Sequence, residues 1–270
     1  MRRPDRIRMP YVERLMTTLS TRDWAIIDTI YRLHVVSGLQ LERLHFTPLS
    51  IHSRSVKRWQ VLKRLVDARV LVPLERRIGT AQRGSSKLCY ALDSAGLRLV
   101  RLRANAETTD AAVRRPRVPG ERFVEHMLAV SELYVALVER GRIGRFQLED
   151  FRAEPAAWVR DGGGRWLKPD AFVKLRAGAV YDYWWIEADL ATESLPTVHR
   201  KLLAYLDFVA RGQLGPDGIV PRVLIGVPTR ARLTAVQRIV NALPTPADYM
   251  FRVAELADVP AVMEQILLDW

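Results

Sequence analysis

Three carboxylates stand where strand-like stretches would gather them. Asp170, after Pro169, opens one stretch, and Glu187 and Asp189, on either side of Ala188, close the next. In an extended strand, residues two apart share a face, so Glu187 and Asp189 are expected to project together, with Asp170 beside them if the two strands pair. Carboxylate oxygens converging at a strand end suit a hard divalent cation, which makes Asp170 and Glu187 candidate Mg²⁺ ligands; Glu125, on a preceding helix, is a further one. The histidines His34, His45, His52, His126 and His199 lack ligand spacing, and Cys89, the sole cysteine, has no second thiol for a zinc site or an internal disulfide. Gly162-Gly163-Gly164 lacks the Lys-Ser/Thr that completes a phosphate loop and reads as the turn of a hairpin.

A second constellation is basic. Over residues 53–69 the sequence keeps a helical period, with Val56, Trp59, Leu62, Leu65 and Val66 assigned to one side and Arg54, Lys57, Arg58 and Arg64 to another. Downstream, two short apolar stretches at 70–74 and 88–92 flank a glycine-containing segment that carries Arg76, Arg77, Arg83 and Lys87, the pattern of a β-hairpin. Cations on a helix face and on a hairpin tip suit a DNA duplex: phosphate contacts supply affinity, and side chains at the start of a helix reach base edges. Arg54, Lys57 and Arg58 are the expected base contacts. The competing reading is a solvated basic face on a unit that contacts protein only.

The elements that must hold these groups follow from local signals. Ser20 with Asp23 three positions on resembles a capping box, and Trp24, Ile27, Ile30 and Tyr31 recur at helical spacing, so a helix is expected over 21–34. Ser37-Gly38 interrupts the pattern, and Leu39, Leu41, Leu44 and Phe46 predict a short second helix ending before Pro48. With the helix at 53–69 and the basic hairpin, this is the order of parts in a winged helix-turn-helix, whose third helix enters the major groove. A fourth helix opens at Ser94. Residues 104–120 are small, polar and proline-punctuated, with Arg114-Arg115-Pro116-Arg117, and read as a linker. Beyond them an amphipathic helix over 121–140 carries Phe123, Met127, Val130, Tyr134 and Leu137 on one stripe. It is equally suited to a homodimer interface and to packing on its own sheet. Strands are expected over 145–151, 157–160, 166–175, 181–189, 220–227 and 249–253, with helices over 195–211 and 231–242. The aromatic run Tyr181 to Trp185 fits a buried strand. The fold class is therefore mixed α/β, with domains at 1–103 and 121–270.

Charge separates the two domains. The chain carries a net +12, and residues 1–120 hold 24 Lys and Arg against 10 Asp and Glu, whereas residues 121–270 hold 18 against 20. The whole positive excess lies in the first part, which points that part at a polyanion. A content of 49% hydrophobic residues is ample for a core. The longest apolar runs fall far short of the roughly 20 residues that span a bilayer, so no membrane partner is expected, and with one cysteine and no signal-peptide pattern a cytoplasmic location is.

The arrangement of Glu125, Pro169-Asp170 and Glu187-Ala188-Asp189 within helix-strand-strand-strand-helix-strand resembles the PD-(D/E)xK restriction-endonuclease-like superfamily. More closely, the winged-helix start followed by Lys-Pro-Asp-Ala (168–171), Trp-Ile-Glu-Ala-Asp-Leu-Ala-Thr-Glu-Ser (185–194) and Arg-Lys-Leu-Leu-Ala-Tyr (200–205) resembles the replication-relaxation family of plasmid and mobile-element proteins. That resemblance spans nearly the whole chain. It implies a bacterial double-stranded-DNA-binding protein in plasmid replication control or element maintenance. The nuclease pattern itself is broken: where it places a lysine two residues after the Glu, Asp189 stands, and Lys201 on the following helix is the candidate replacement, with Tyr205 one turn further. In one reading Asp170, Glu187, Asp189 and Lys201 form a Mg²⁺-dependent endonuclease or nickase site. In the other the second domain is non-catalytic and needs no cofactor, its carboxylates are remnants on a scaffold, and Lys201 pairs with Glu187 or Asp189. A third reading is an adaptor that recruits a replication or transfer protein.

Overall fold

A computed structural model describes residues 7–47, 49–74, 88–104 and 120–270, apart from the side chains of Ile51 and His52. By compactness the chain divides into two units, Met1–Ser131 and Glu132–Trp270, and the division falls inside a helix. Residues 105–119, most of the expected linker, lie outside the described residues.

The first unit runs α1 (Met9–Thr18), α2 (Thr21–Leu33), β1 (Val36–Ser37), α3 (Gly38–His45), α4 (Ile51–Asp67), β2 (Leu71–Leu74), β3 (Cys89–Leu92) and α5 (Ser94–Arg103), and it takes in the start of α6 (Glu121–Gly141). Ser20 caps α2 as its spacing predicts: its Oγ accepts the Asp23 N–H, and the Asp23 carboxylate accepts the Ser20 N–H. Ser37 and Gln40 repeat the device at α3. Each such cap is worth about 1 kcal/mol. The two-residue β1, which the sequence did not announce, completes an antiparallel sheet of order β1-β3-β2, with Val36 opposite Tyr90 and Val72 opposite Ala91. Val124, Met127 and Leu128 of α6 pack on this sheet against Val35, Val72, Leu74, Cys89 and Ala91. α5 approaches the start of β2 so closely that a Cβ at Gly96 would lie 2.3 Å from the Val70 carbonyl oxygen, which only glycine permits.

The second unit contains the rest of α6 and a five-stranded mixed sheet of order β10-β9-β8-β7-β4, built from β4 (Gln147–Ala153), β7 (Ala171–Ala177), β8 (Val180–Ala188), β9 (Arg222–Val227) and β10 (Phe251–Glu255). β4, β7 and β8 pair antiparallel, and β8, β9 and β10 pair parallel. A separate hairpin, β5 (Val159–Arg160) with β6 (Trp166–Leu167), turns at the triple glycine. α7 (Leu195–Ala210), α8 (Arg230–Asn241) and a short α9 (Ala247–Met250) connect the later strands, and α10 (Val259–Leu268) follows them. Of the aromatic run, Trp184 and Trp185 are fully buried, while Tyr181 is half exposed. Trp185, Tyr205 and Phe208 pack ring against ring beneath α7. Burying side chains of this size contributes roughly 2–3 kcal/mol each. The fold class is mixed α/β, as expected, and among the described residues no helix is long and apolar enough to cross a membrane.

Candidate functional site

The basic helix is α4, and its orientation differs from the sequence assignment. Its inward face is Arg58, Val61, Leu62 and Leu65, spaced three and four apart; Val56 and Trp59, expected inside, are 56% and 57% exposed. Residue type misled the assignment, because the inner stripe includes an arginine. Arg58 is only 8% exposed and donates to the Glu42 carboxylate of α3 at 2.7 Å, an ion pair that allows the charge to be buried. The guanidinium expected at a base edge is thus engaged within the fold. Arg54 also turns inward, giving its guanidinium hydrogens to the Leu49 and Thr47 carbonyls at 2.7 Å each, and so fastens the loop before α4. Of the three expected base contacts, Lys57 alone stands on the exposed face.

That exposed face carries Ser53, Val56, Lys57, Gln60, Lys63 and Arg64. Along one flank Lys57, Gln60 and Arg64 meet Ser20 and Arg22 from the start of α2 and line a shallow basin. Arg64 also bridges to Asp23 at 2.6 Å, joining the α2 capping box to α4. Burial works to raise the Asp23 pKa, but Arg64 and the Ser20 donors outweigh it and hold the carboxyl below its usual range. Arg22 and Gln60 were not singled out in the sequence; the signal available was Arg22 beside a helix cap, which is too common to select it. Arg76, Arg77, Arg83 and Lys87 lie outside the described residues.

In the second unit the strand pairing brings together two of the three carboxylates. Ala171 pairs with Ile186, so Asp170 falls opposite Glu187, and the Asp170 carboxylate accepts the Ala188 N–H at 2.7 Å. Glu187 is buried; one of its oxygens accepts the Tyr205 hydroxyl at 2.5 Å and the other the Lys201 ammonium at 3.2 Å. Lys201 also reaches Glu193 at 3.3 Å. Burial and the neighbouring Asp170 charge push the Glu187 carboxyl up to about 8, against the pull of Lys201 and Tyr205. Burial opposes the Lys201 charge, but Glu187, Asp170 and Glu193 outweigh it and hold the ammonium protonated. Burial and the same carboxylates raise the Tyr205 phenol, which stays a donor.

Asp189 leaves the group. Its carboxylate accepts the Ala191 N–H at 2.8 Å and the Arg232 Nε hydrogen at 2.7 Å, while a second nitrogen of Arg232 donates to the Glu193 carbonyl. The pair clamps the loop between β8 and α7, in which Ala191 holds a positive φ of 59°. Glu193 and Arg232 thus act on the cluster without having been legible as part of it. Glu125 lies on the stretch of α6 that belongs to the first unit. As they stand, Glu187 and Asp189 do not fit as ligands of a resident Mg²⁺. Such an ion takes near-octahedral oxygen coordination. Asp189 is committed to Arg232, and both Glu187 oxygens already accept hydrogen bonds, one from a cation. The arrangement is a closed network of Asp170, Glu187, the Lys201 ammonium and the Tyr205 phenol.

The family pattern described as replication-relaxation matches residues 27–223, from α2 through the start of β9. Among curated proteins the chain has no match.

Proposed function

The chain belongs to the replication-relaxation family, and from that premise we propose that it is a cytoplasmic double-stranded-DNA-binding protein acting in plasmid or mobile-element replication control. The observation that carries the reading is the outward face of α4, where Lys57, Gln60 and Arg64 border a basin shared with Arg22. Helices α2, α3 and α4 followed by strands β2 and β3 support a winged helix-turn-helix, in which α4 lies in the major groove. Gln60 then faces a base edge, and Arg22 and Lys57 face backbone phosphates. The second unit is read as non-catalytic, because Glu187 and Asp189 are answered by Lys201, Tyr205 and Arg232 from within the fold.

Titration of labelled duplex DNA with the full chain tests this. Binding at low salt is expected, with Lys57→Ala weakening it on every sequence alike and Gln60→Ala weakening it by roughly 1–2 kcal/mol on the preferred one. Absence of duplex binding at low salt contradicts the reading. For the second unit, plasmid DNA is expected to stay intact in Mg²⁺ or Mn²⁺; cleavage lost in Glu187→Ala contradicts the non-catalytic assignment.

A further inference from the structure

The second unit has a cleft that neither the carboxylate network nor the duplex-binding reading uses. It lies between the β5–β6 hairpin and the last turn of α7, measures about 110 Å³, and is walled by Trp166 and Phe208, with Asp161, Arg165, Asp207 and Arg211 around them. Pockets for whole small ligands run to about 300–1,000 Å³. A cleft of this size takes one group of a larger ligand.

Its chemistry narrows that group. Trp166 is 52% exposed, so a broad aromatic face is left to solvent although burial would be favourable. The half-exposed Asp207 carboxylate is bridged by Arg165 at 3.6 Å and Arg211 at 3.2 Å, and a carboxylate keeps acceptor capacity beyond two such contacts. A flat ring whose edge donates a hydrogen bond would satisfy this lining. Two exposed cations stand next to Trp166 on and after the hairpin: the Arg160 guanidinium lies over one side of the Trp166 ring, 5.8 Å from its centre, and the Lys168 ammonium sits 4.7 Å from the ring centre of Trp158, itself edge-on to Trp166. Asp161, which is buried, and Asp207, which is half exposed, are both answered by Arg165 and Arg211, so the exposed Arg160 and Lys168 leave the charge presented outward positive. An aromatic platform with an edge-reading pocket and a cationic rim matches a base with its backbone phosphates. Within a duplex the faces of that base are stacked and its edge is paired, so the ligand must be single-stranded.

We propose that this hairpin cleft binds one unstacked base of single-stranded DNA, with Trp166 as the stacking platform, Asp207 at the base edge, and Arg160 and Lys168 on the flanking phosphates. The site is separate from α4 and does not depend on the duplex-binding reading. Fluorescence anisotropy of a labelled single-stranded 20-mer with the full chain tests it. Wild type binds at low salt, Trp166→Ala weakens binding about tenfold, Trp166→Phe stays within about threefold, and the surface variant Lys168→Glu weakens it by a similar factor. Arg22→Ala with Lys57→Ala, which lowers duplex affinity, leaves the single-strand affinity unchanged. No binding of the single strand by wild type, or Trp166→Ala and Lys168→Glu both binding as wild type does, overturns the proposal. Tighter binding of the RNA 20-mer of the same sequence overturns the assignment to DNA.

Discussion

The outer face of α4 and the cluster around Glu187 are both rich in charge, and they use it in opposite ways. On α4, Lys57 and Gln60 border a solvent-open basin with Arg22, and Arg64, on the same basin, stays half exposed although it bridges to Asp23. Around Glu187 each charge is answered at hydrogen-bond distance by a neighbour from another element, Lys201 and Tyr205 from α7 and, for Asp189, Arg232 from α8. An open cation is available to a polyanion and contributes little to stability, whereas a closed network holds the fold and has little left to offer a ligand.

Substitutions should separate these two uses of charge. Arg232→Met leaves Asp189 buried without its cation and should cost about 3–5 kcal/mol; denaturant unfolding measures it, and Asp189→Asn added to it should recover part of the loss. Glu187→Gln should alter the pH profile. The folded state keeps a Glu187 proton that the unfolded chain releases above about pH 4.5, so stability falls as pH rises from there to about 8 and levels off beyond. The slope is at most about 1.4 kcal/mol per pH unit. Melting temperatures across that range should lose most of this slope in the glutamine variant, and parallel profiles would remove the network from the account. Ala191→Gly relieves a left-handed backbone in the loop clamped by Asp189 and should gain about 1 kcal/mol. Lys57→Ala should move stability by no more than about 0.5 kcal/mol. A larger loss would mean that Lys57 belongs to a closed network too.

The parts that were legible in the sequence are those set by local chemistry. The Ser20–Asp23 capping box and the glycine turn of the β5–β6 hairpin follow from spacing within a few residues, and Asp170 beside Glu187 follows once the two strands pair. What was not legible depends on partners far along the chain. Arg58 is buried because Glu42 of α3 meets it, which turns α4 so that Val56 and Trp59 face outward. Asp189 leaves Glu187 because Arg232, 43 positions on, takes it. β1 is two residues long and exists only through its pairing with β3, so no periodicity announces it. The basin on α4 is assembled by Arg22 from another helix, and helical spacing alone does not find it.

The central claim is that the open cations of α2 and α4 meet backbone phosphates, and its most direct measurement is the salt dependence of duplex affinity. Removing one cation that neutralises a phosphate lowers the magnitude of the slope of log K against log salt by about 0.9. Arg22→Ala combined with Lys57→Ala should therefore reduce that slope by roughly 2, while Lys63→Ala, which removes an exposed cation already bridged to Asp67, should change it far less. Equal slopes for wild type and the double variant would contradict the account.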